Sequence, residues 1–439
     1  MTGAFGGLPS GRSHDSGSYL ELFRGNSAFR RLFGGQVVSF CGDWFLTVAL
    51  LDLVLRLTHS AFLAGLVLVC QSLPTFFLAA WAGTIVDRHD RRRLMIAIDT
   101  ARILFALLPI AARSVQLLPL AYAGALGISI GGTFFSPAIQ SAIPNVVEGE
   151  DLARANVLMG STWGTMLAVG SALGGLVVAA FGLEVACIID AATFAFSAFI
   201  LWTIHRPFQQ RLDRQRVRFL TSLREAGSYA RGHRRVLALL TCKGGFGLGS
   251  GVIVLLSVFG RDVFHAGAAG IGVLYGARGI GALFGPFLIR RLGSTDDARF
   301  RLIGVAGIVY GLGYAAFAVS PVLGLAAVAV SIAHLGGGAE WMMSTYGLQR
   351  EVPDDLRGRI FAAGFGLVTL TTSISSVGAG LLAASIGATA TALLAGALAL
   401  VWGLIWTGWT RSLWQPATMG NNESARSLAE AAPSESEGS

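Results

Sequence analysis

Ionisable side chains set inside long apolar runs are where this sequence can do chemistry. Asp43, Asp190, Lys243, Arg278 and Glu340 each interrupt such a run, and a charge at the centre of a membrane helix costs at least ~2.5 kcal/mol on insertion scales. Asp43 is the most informative of them. Gln36, Ser39 and Thr47 lie seven, four and four residues from it, a spacing that puts all four on one helical face. A short carboxylate too deep to reach an interface, set in a polar stripe, suits a proton carrier that faces an aqueous crevice. A fixed ion pair with a basic residue of another helix is the competing reading.

Arg278, with Tyr275 one turn away, would counter Asp43 across the molecule, meet an anionic substrate group, or pair inside its own half. Lys243 is the only lysine in the chain; it lies close enough to one interface for its ammonium to snorkel there. Glu340 shares a face with Ser344. Lys243 and Glu340 are candidates for substrate or proton handling. Asp190 suits helix packing or an outer gate, with proton exchange as the alternative. Asp99 and Arg102, three residues apart, suit a local ion pair, and His334, alone among small residues, reads as structural.

The elements that position these groups are transmembrane helices. Of 439 residues, 53% are hydrophobic and only 13% charged, where a soluble domain carries about 25%. The 58 glycines fit close packing between membrane helices. Runs of roughly 20 apolar residues predict twelve spans, at 31–55, 62–86, 94–114, 118–140, 154–180, 185–204, 236–259, 267–289, 301–319, 322–348, 360–384 and 389–410. The expected fold is therefore an all-α membrane protein of two six-helix bundles. The net charge of +8 comes from arginines clustered in a few loops, which reads as topology rather than as a nucleic-acid surface. Arg24, Arg30 and Arg31, then Arg88, Arg91, Arg92 and Arg93, then Arg290, Arg291, Arg299, Arg350, Arg357 and Arg359 all fall on one side. The positive-inside rule places that side, with both termini, in the cytoplasm.

Domain boundaries follow from the same pattern. Residues 1–28 form a cytoplasmic N-terminal segment, 29–204 the first bundle, 205–235 a basic cytoplasmic linker, 236–411 the second bundle, and 412–439 a disordered tail. The linker holds nine arginines, Arg206 to Arg235, against Asp213 and Glu225, and suits an amphipathic helix on anionic lipid. The halves echo each other at a spacing of about two hundred residues. Gly65 and Gly83 correspond to Gly267 and Gly285, and Ile143-Pro144 to Val352-Pro353. The four cysteines, Cys41, Cys70, Cys187 and Cys242, sit in apolar stretches without metal-ligand spacing and read as buried free thiols. No GxxxxGK[ST] or HExxH occurs, which argues against an ATP-driven engine, and without a metal constellation the chain reads as a carrier rather than an enzyme. No cofactor or metal is implied.

One loop carries a recognisable pattern. Gly83-xxx-Asp87-Arg88-xx-Arg91-Arg92 is similar to the short-loop motif of major facilitator superfamily transporters. Phe135-Ser-Pro137-Ala138, Leu152-Ala-Arg-Ala-Asn156, Ile189-Asp190-Ala191-Ala192-Thr193-Phe194 and Val352-Pro-Asp-Asp-Leu-Arg357-Gly358-Arg359 resemble the branch of that superfamily holding bacterial macrolide-efflux and enterobactin-exporter proteins. The resemblance runs over residues 28–412 and implies efflux of a drug, antibiotic or siderophore by proton antiport, in the inner membrane of a bacterium. The expected partners are a small-molecule substrate, protons and the bilayer, with the chain acting as a monomer. Import by symport, and lipid flipping, are the alternatives. In the loop, Gly83 would allow close helix approach, and Asp87 would face a helix N-terminus of the other half. Arg88, Arg91 and Arg92 would pair with acids or lipid phosphate at a cytoplasmic gate. The sequence departs from the antiporter pattern Gly-Pro-x-x-Gly-Gly at Ser171, which stands in the proline position of Gly170–Gly175.

Overall fold

The computed structural model describes residues 19–147, 149, 151–206, 208, 219–291 and 298–414. The tail from 415, the segment 1–18 and the linker arginines Arg211, Arg214, Arg216 and Arg218 lie outside these residues. Among the described residues there is no strand.

The spanning helices are α1 Ser27–Thr58, α2 Ala61–Arg88, α3 Arg91–Leu107 and α4 Leu118–Val146. Asp151–Thr203 is one helical run of 53 residues, about 80 Å at 1.5 Å per residue, far more than the ~30 Å of a bilayer core. It divides at Gly182, whose φ of 84° and ψ of 179° turn the chain back, giving α5 (151–181) and α6 (183–203). The second set begins with α7, Arg234–Gly249, which breaks at Ser250-Gly251, resumes as Val252–Val258 and ends in the π-helical turn Phe259–Val263. Then come α8 Gly267–Arg291, α9 Arg299–Ala318, α10 Leu323–Glu351, α11 Asp354–Ile386 and α12 Ala388–Trp409. Eleven helical runs are long and apolar enough to cross a membrane, and the division at Gly182 makes twelve spans. Gly387, with φ 83°, joins α11 to α12 as Gly182 joins α5 to α6, so the internal repeat reaches the backbone of single turns.

Several helices outrun their predicted spans. α4 continues to Val146 and α11 starts at Asp354, because hydropathy marks only the part in hydrocarbon while backbone pairing continues into the polar interface. Side chains finish the ends. Asn26 accepts from the Phe29 amide at 2.9 Å and donates to the Val146 carbonyl at 2.8 Å, tying α1 to α4. Asp90, inside the cationic loop, caps α3 through the Arg93 amide. Two short surface helices complete the chain. Tyr19–Gly25, which the polar N-terminal composition did not suggest, buries Leu22, and Phe219–Gly232 in the linker buries Ala226 and Ala230.

Ser27 and Trp409 lie at the same end of the bundle, here the terminal end; the opposite end is the distal one. α1 packs between α5 and α6, α2 on α4, and α3 on α4 and α6; α7 packs on α10, α11 and α12, α8 on α10, and α9 on α10 and α12. The two sets meet along two seams, α2 with α11 and α5 with α8. Both seams are tight toward the distal end. A Cβ on Gly175 would lie 2.7 Å from the Gly272 Cα, one on Gly380 2.6 Å from the Phe62 Cα, and one on Gly65 3.1 Å from the Ser376 carbonyl. Only glycine allows backbones to meet this closely. Toward the terminal end, Gly83, Gly160 and Gly358 have nothing within 4 Å of such a Cβ. The halves are therefore pinched distally and parted at the terminal end. The outward faces carry Phe181, Phe199, Trp202, Phe284, Phe287 and Ile405, all exposed, as lipid-facing helices require.

Candidate functional site

The first half holds a buried cluster of four charges. Asp43 comes from α1, Asp99 and Arg102 from α3, and Asp190 from α6. Asp99 and Asp190 are fully buried and Arg102 nearly so. Arg102 sits 3.7 Å from Asp99 and within electrostatic reach of Asp43 and Asp190. Its guanidinium stacks near Phe194 and Phe135, at 5.0 and 5.5 Å, and donates to the Ile128 carbonyl. Gly131 and Gly132 of α4 make its room, since a Cβ at either would meet the guanidinium. Gly42 does the same for α6, where a Cβ would meet Asp190 and Thr193. One oxygen of Asp43, one of Asp190 and both of Asp99 are sealed from solvent with no hydrogen-bond partner among the described residues. Three carboxylates thus share one guanidinium in an apolar interior, where uncompensated charge is expensive.

The expected partner of Asp43 differs from the observed one. Arg278 makes no ion pair with Asp43; the cation acting on Asp43 is Arg102, an i,i+3 neighbour of Asp99 that the sequence suggested only as a local pair. The polar stripe also faces protein more than solvent. Gln36, Ser39 and Thr47 are buried, because α1 is wrapped by α5 and α6. Thr47 donates to the Asp43 carbonyl at 2.8 Å and accepts from Gln71 of α2 at 2.9 Å. Asp43 itself is half-buried.

The seams carry the next layer. Ser72 and Ser373 hydrogen-bond across the halves at 3.0 Å. Trp44 of α1 lies 6.4 Å from both Trp163 of α5 and Tyr275 of α8, and the Arg278 guanidinium lies 5.7 Å from the Trp163 ring. The helix-5 glycines divide their work. Gly170 and Gly174 press on α1 at Cys41 and Phe45, while Gly175 presses on α8. Ser171, where the antiporter pattern has proline, is fully buried inside continuous helix, and its hydroxyl has no partner among the described residues.

In the second half, Lys243 does not snorkel. It is 5% exposed, donates to Thr345 at 3.0 Å and stands 4.5 Å over the Trp341 ring, within electrostatic reach of Glu340. The aromatic and hydroxyl contacts hold the ammonium where apolar burial alone would expel it. Glu340 borders a small cavity of about 20 Å³, shared with Cys242, Tyr310 and Trp402, roughly the space of one water. His334 accepts or donates to the Tyr314 hydroxyl at 2.6 Å.

At the terminal end, Arg91 donates to the Ser141 and Phe208 carbonyls and Arg92 to the Leu201 and Trp202 carbonyls. These two arginines of the loop motif donate to backbone carbonyls of their own half. Arg88 is exposed and Gly83 is half-buried with open space beside it; the side chain of Asp87 lies outside the described residues. At the distal end, Arg261 of α7 pairs with Asp52 of α1 across the halves. Sequence reading missed Asp52 because it stands near the end of a span, where a carboxylate needs no special explanation.

The family model for transmembrane secretion effectors matches residues 21–426. The chain belongs to this family of the major facilitator superfamily. Relatives of this facilitator include the putative bacilysin exporter of Bacillus subtilis, 25% identical over 84% of this chain and 91% of that one. Macrolide efflux protein A of Streptococcus pyogenes is 22% identical over 84% and 93%. A solved POT family transporter in complex with a conjugated peptide superposes with a TM-score of 0.72 at 11% identity, covering 89% of this chain and 97% of that one, which shows the fold. The facilitator is thus a multi-pass membrane transporter of two related six-helix sets.

Proposed function

We propose that this facilitator exports an amphipathic small molecule from the bacterial cytoplasm across the inner membrane, driven by proton antiport and working by alternating access. The observation that carries the reading is the Asp43–Asp99–Asp190 cluster around a single guanidinium. Protons are the smallest counter-charges such a site can accept, and α1, which carries Asp43, is gripped by α5 while α5 also forms the seam with α8. Loading or unloading a proton at Asp43 therefore changes the charge balance beside a helix pair that must move when the halves rock. With the arginine-rich terminal end in the cytoplasm, the crevice is open inward and the distal pinch, with its Asp52–Arg261 pair, is the closed outer gate. The export direction is supported by the names of the relatives, a bacilysin exporter and a macrolide efflux protein.

The energetics suffice. One proton crossing 100 mV supplies ~2.3 kcal/mol, which at ~1.36 kcal/mol per decade sustains about a fifty-fold concentration ratio. The test starts from a pump-deficient bacterium expressing the chain and challenged with an antibiotic panel. A compound it resists is then added to everted vesicles holding an acid lumen. Antiport predicts release of lumenal protons on addition of the compound. Compound-driven acidification of the lumen would mean symport, and transfer of labelled lipid with no proton signal would mean a flippase.

A further inference from the structure

Arg278 is a mid-membrane guanidinium without a counter-ion. Among the described residues no carboxylate lies within ion-pair distance of it, and its Nε is sealed from solvent with no hydrogen-bond partner. The interior acids are committed elsewhere: Asp43, Asp99 and Asp190 lie about Arg102, and Glu340 acts on Lys243. The groups of its own half that feel the Arg278 charge are Tyr275, Tyr310, Tyr314 and His334, none of them a carboxylate. One face of the guanidinium is turned to Trp163 of the other half, and that indole is 46% exposed although it stands at an interhelical seam. Trp44 meets Trp163 edge-on and leans over Tyr275. Three helices from both halves thus build a notch with aromatic walls and a bare cationic fork.

We infer that Arg278, Trp163 and Trp44 bind a substrate carboxylate, with the apolar body of the substrate lying on the two indoles. A guanidinium presents paired donors that match a carboxylate in a bidentate fork, and a charge left unpaired in a low-dielectric interior needs such a partner. Indole faces accept flat or greasy surfaces without demanding a particular shape. Because the notch draws on α1, α5 and α8, its occupant bridges the halves. This assignment rests on the crevice being the substrate path, but on neither the coupling ion nor the direction of transport.

The experiment uses the purified full-length chain in detergent, with no gradient, and three naphthyl probes of one size measured by calorimetry: 1-naphthaleneacetate, 1-naphthaleneacetamide and (1-naphthylmethyl)trimethylammonium. The acetate should bind at least about tenfold tighter than the amide or the cation. Arg278→Gln should remove that preference while leaving amide binding within about twofold, Arg278→Lys should keep part of it, and Trp163→Leu should weaken acetate and amide alike. Equal binding of acetate and amide to the unmodified protein overturns the assignment without any variant, as does failure of the acetate to bind at millimolar concentration. A folded Arg278→Gln protein that retains the preference overturns it too. An intact anion preference together with no proton signal in vesicles would leave this site standing and remove only the antiport reading.

Discussion

In α1, α3 and α6, three carboxylates crowd one guanidinium; in α7, α8 and α10, Glu340 acts on Lys243 while Arg278 has no carboxylate within ion-pair distance among the described residues. The first arrangement is self-contained, with both oxygens of Asp99 and one each of Asp43 and Asp190 lacking hydrogen bonds among the described residues. The second is laced with aromatic rings: Trp341 under Lys243, Trp163 beside Arg278, and tyrosines 275, 310 and 314 between them. A cluster of acids about one guanidinium suits proton exchange, while a guanidinium beside indole rings suits a greasy substrate with an anionic end. On the two proposals above, the acids of the first half handle the driving ion, and Arg278 of the second half handles the cargo with the indoles of the first.

The largest effect should come from Asp43→Asn, which removes an exchangeable proton from the first pocket and keeps its shape. Compound-driven proton release in vesicles should fall more than about tenfold while compound binding in detergent stays within about twofold; loss of binding with intact coupling would invert the division of labour. Next, Gly272→Leu should stop turnover by holding the distal seam open. Its Cβ would fall 2.6 Å from the Ser171 carbonyl and 2.8 Å from the Gly175 Cα, so spin labels at Arg56→Cys and Val263→Cys should move apart. Asp52→Asn should produce a smaller shift of the same label distance. Asp52 is buried and Arg261 only one-fifth exposed, so removing one partner leaves the other charge uncompensated, and Asp52→Asn combined with Arg261→Gln should be no worse than either alone. The smallest effect belongs to Ser171→Ala. Its hydroxyl has no partner among the described residues, so thermal melting should be unchanged or slightly raised, and a marked loss of transport would show the hydroxyl working in the first pocket after all.

Depth was legible in the sequence; direction was not. At 1.5 Å per residue the position of Asp43 along its span follows from counting, and run length alone locates twelve spans with errors confined to their polar ends. Which neighbour a buried side chain meets depends on how helices far apart in sequence are rotated against one another. That is why Arg278 looked a fair partner for Asp43 and why Arg102 did not. A clue was present in Gly131-Gly132, an adjacent glycine pair in α4 that makes sense only if something bulky from another helix lies against it. The snorkelling reading of Lys243 failed for a related reason: distance to the interface was right, but Trp341 and Thr345, a hundred residues on, offered the ammonium a nearer home. The Asp52–Arg261 pair joins two unremarkable span ends and leaves no pattern in either.

The meeting of Gly175 with Gly272, main chain on main chain, also sets where this protein can change over generations. Any bulkier residue there would wedge the machine, so variants that widen or narrow the range of expelled compounds have to arise among the rings and polar groups of α1, α7 and α10, where a new side chain costs affinity for one chemical rather than motion for all.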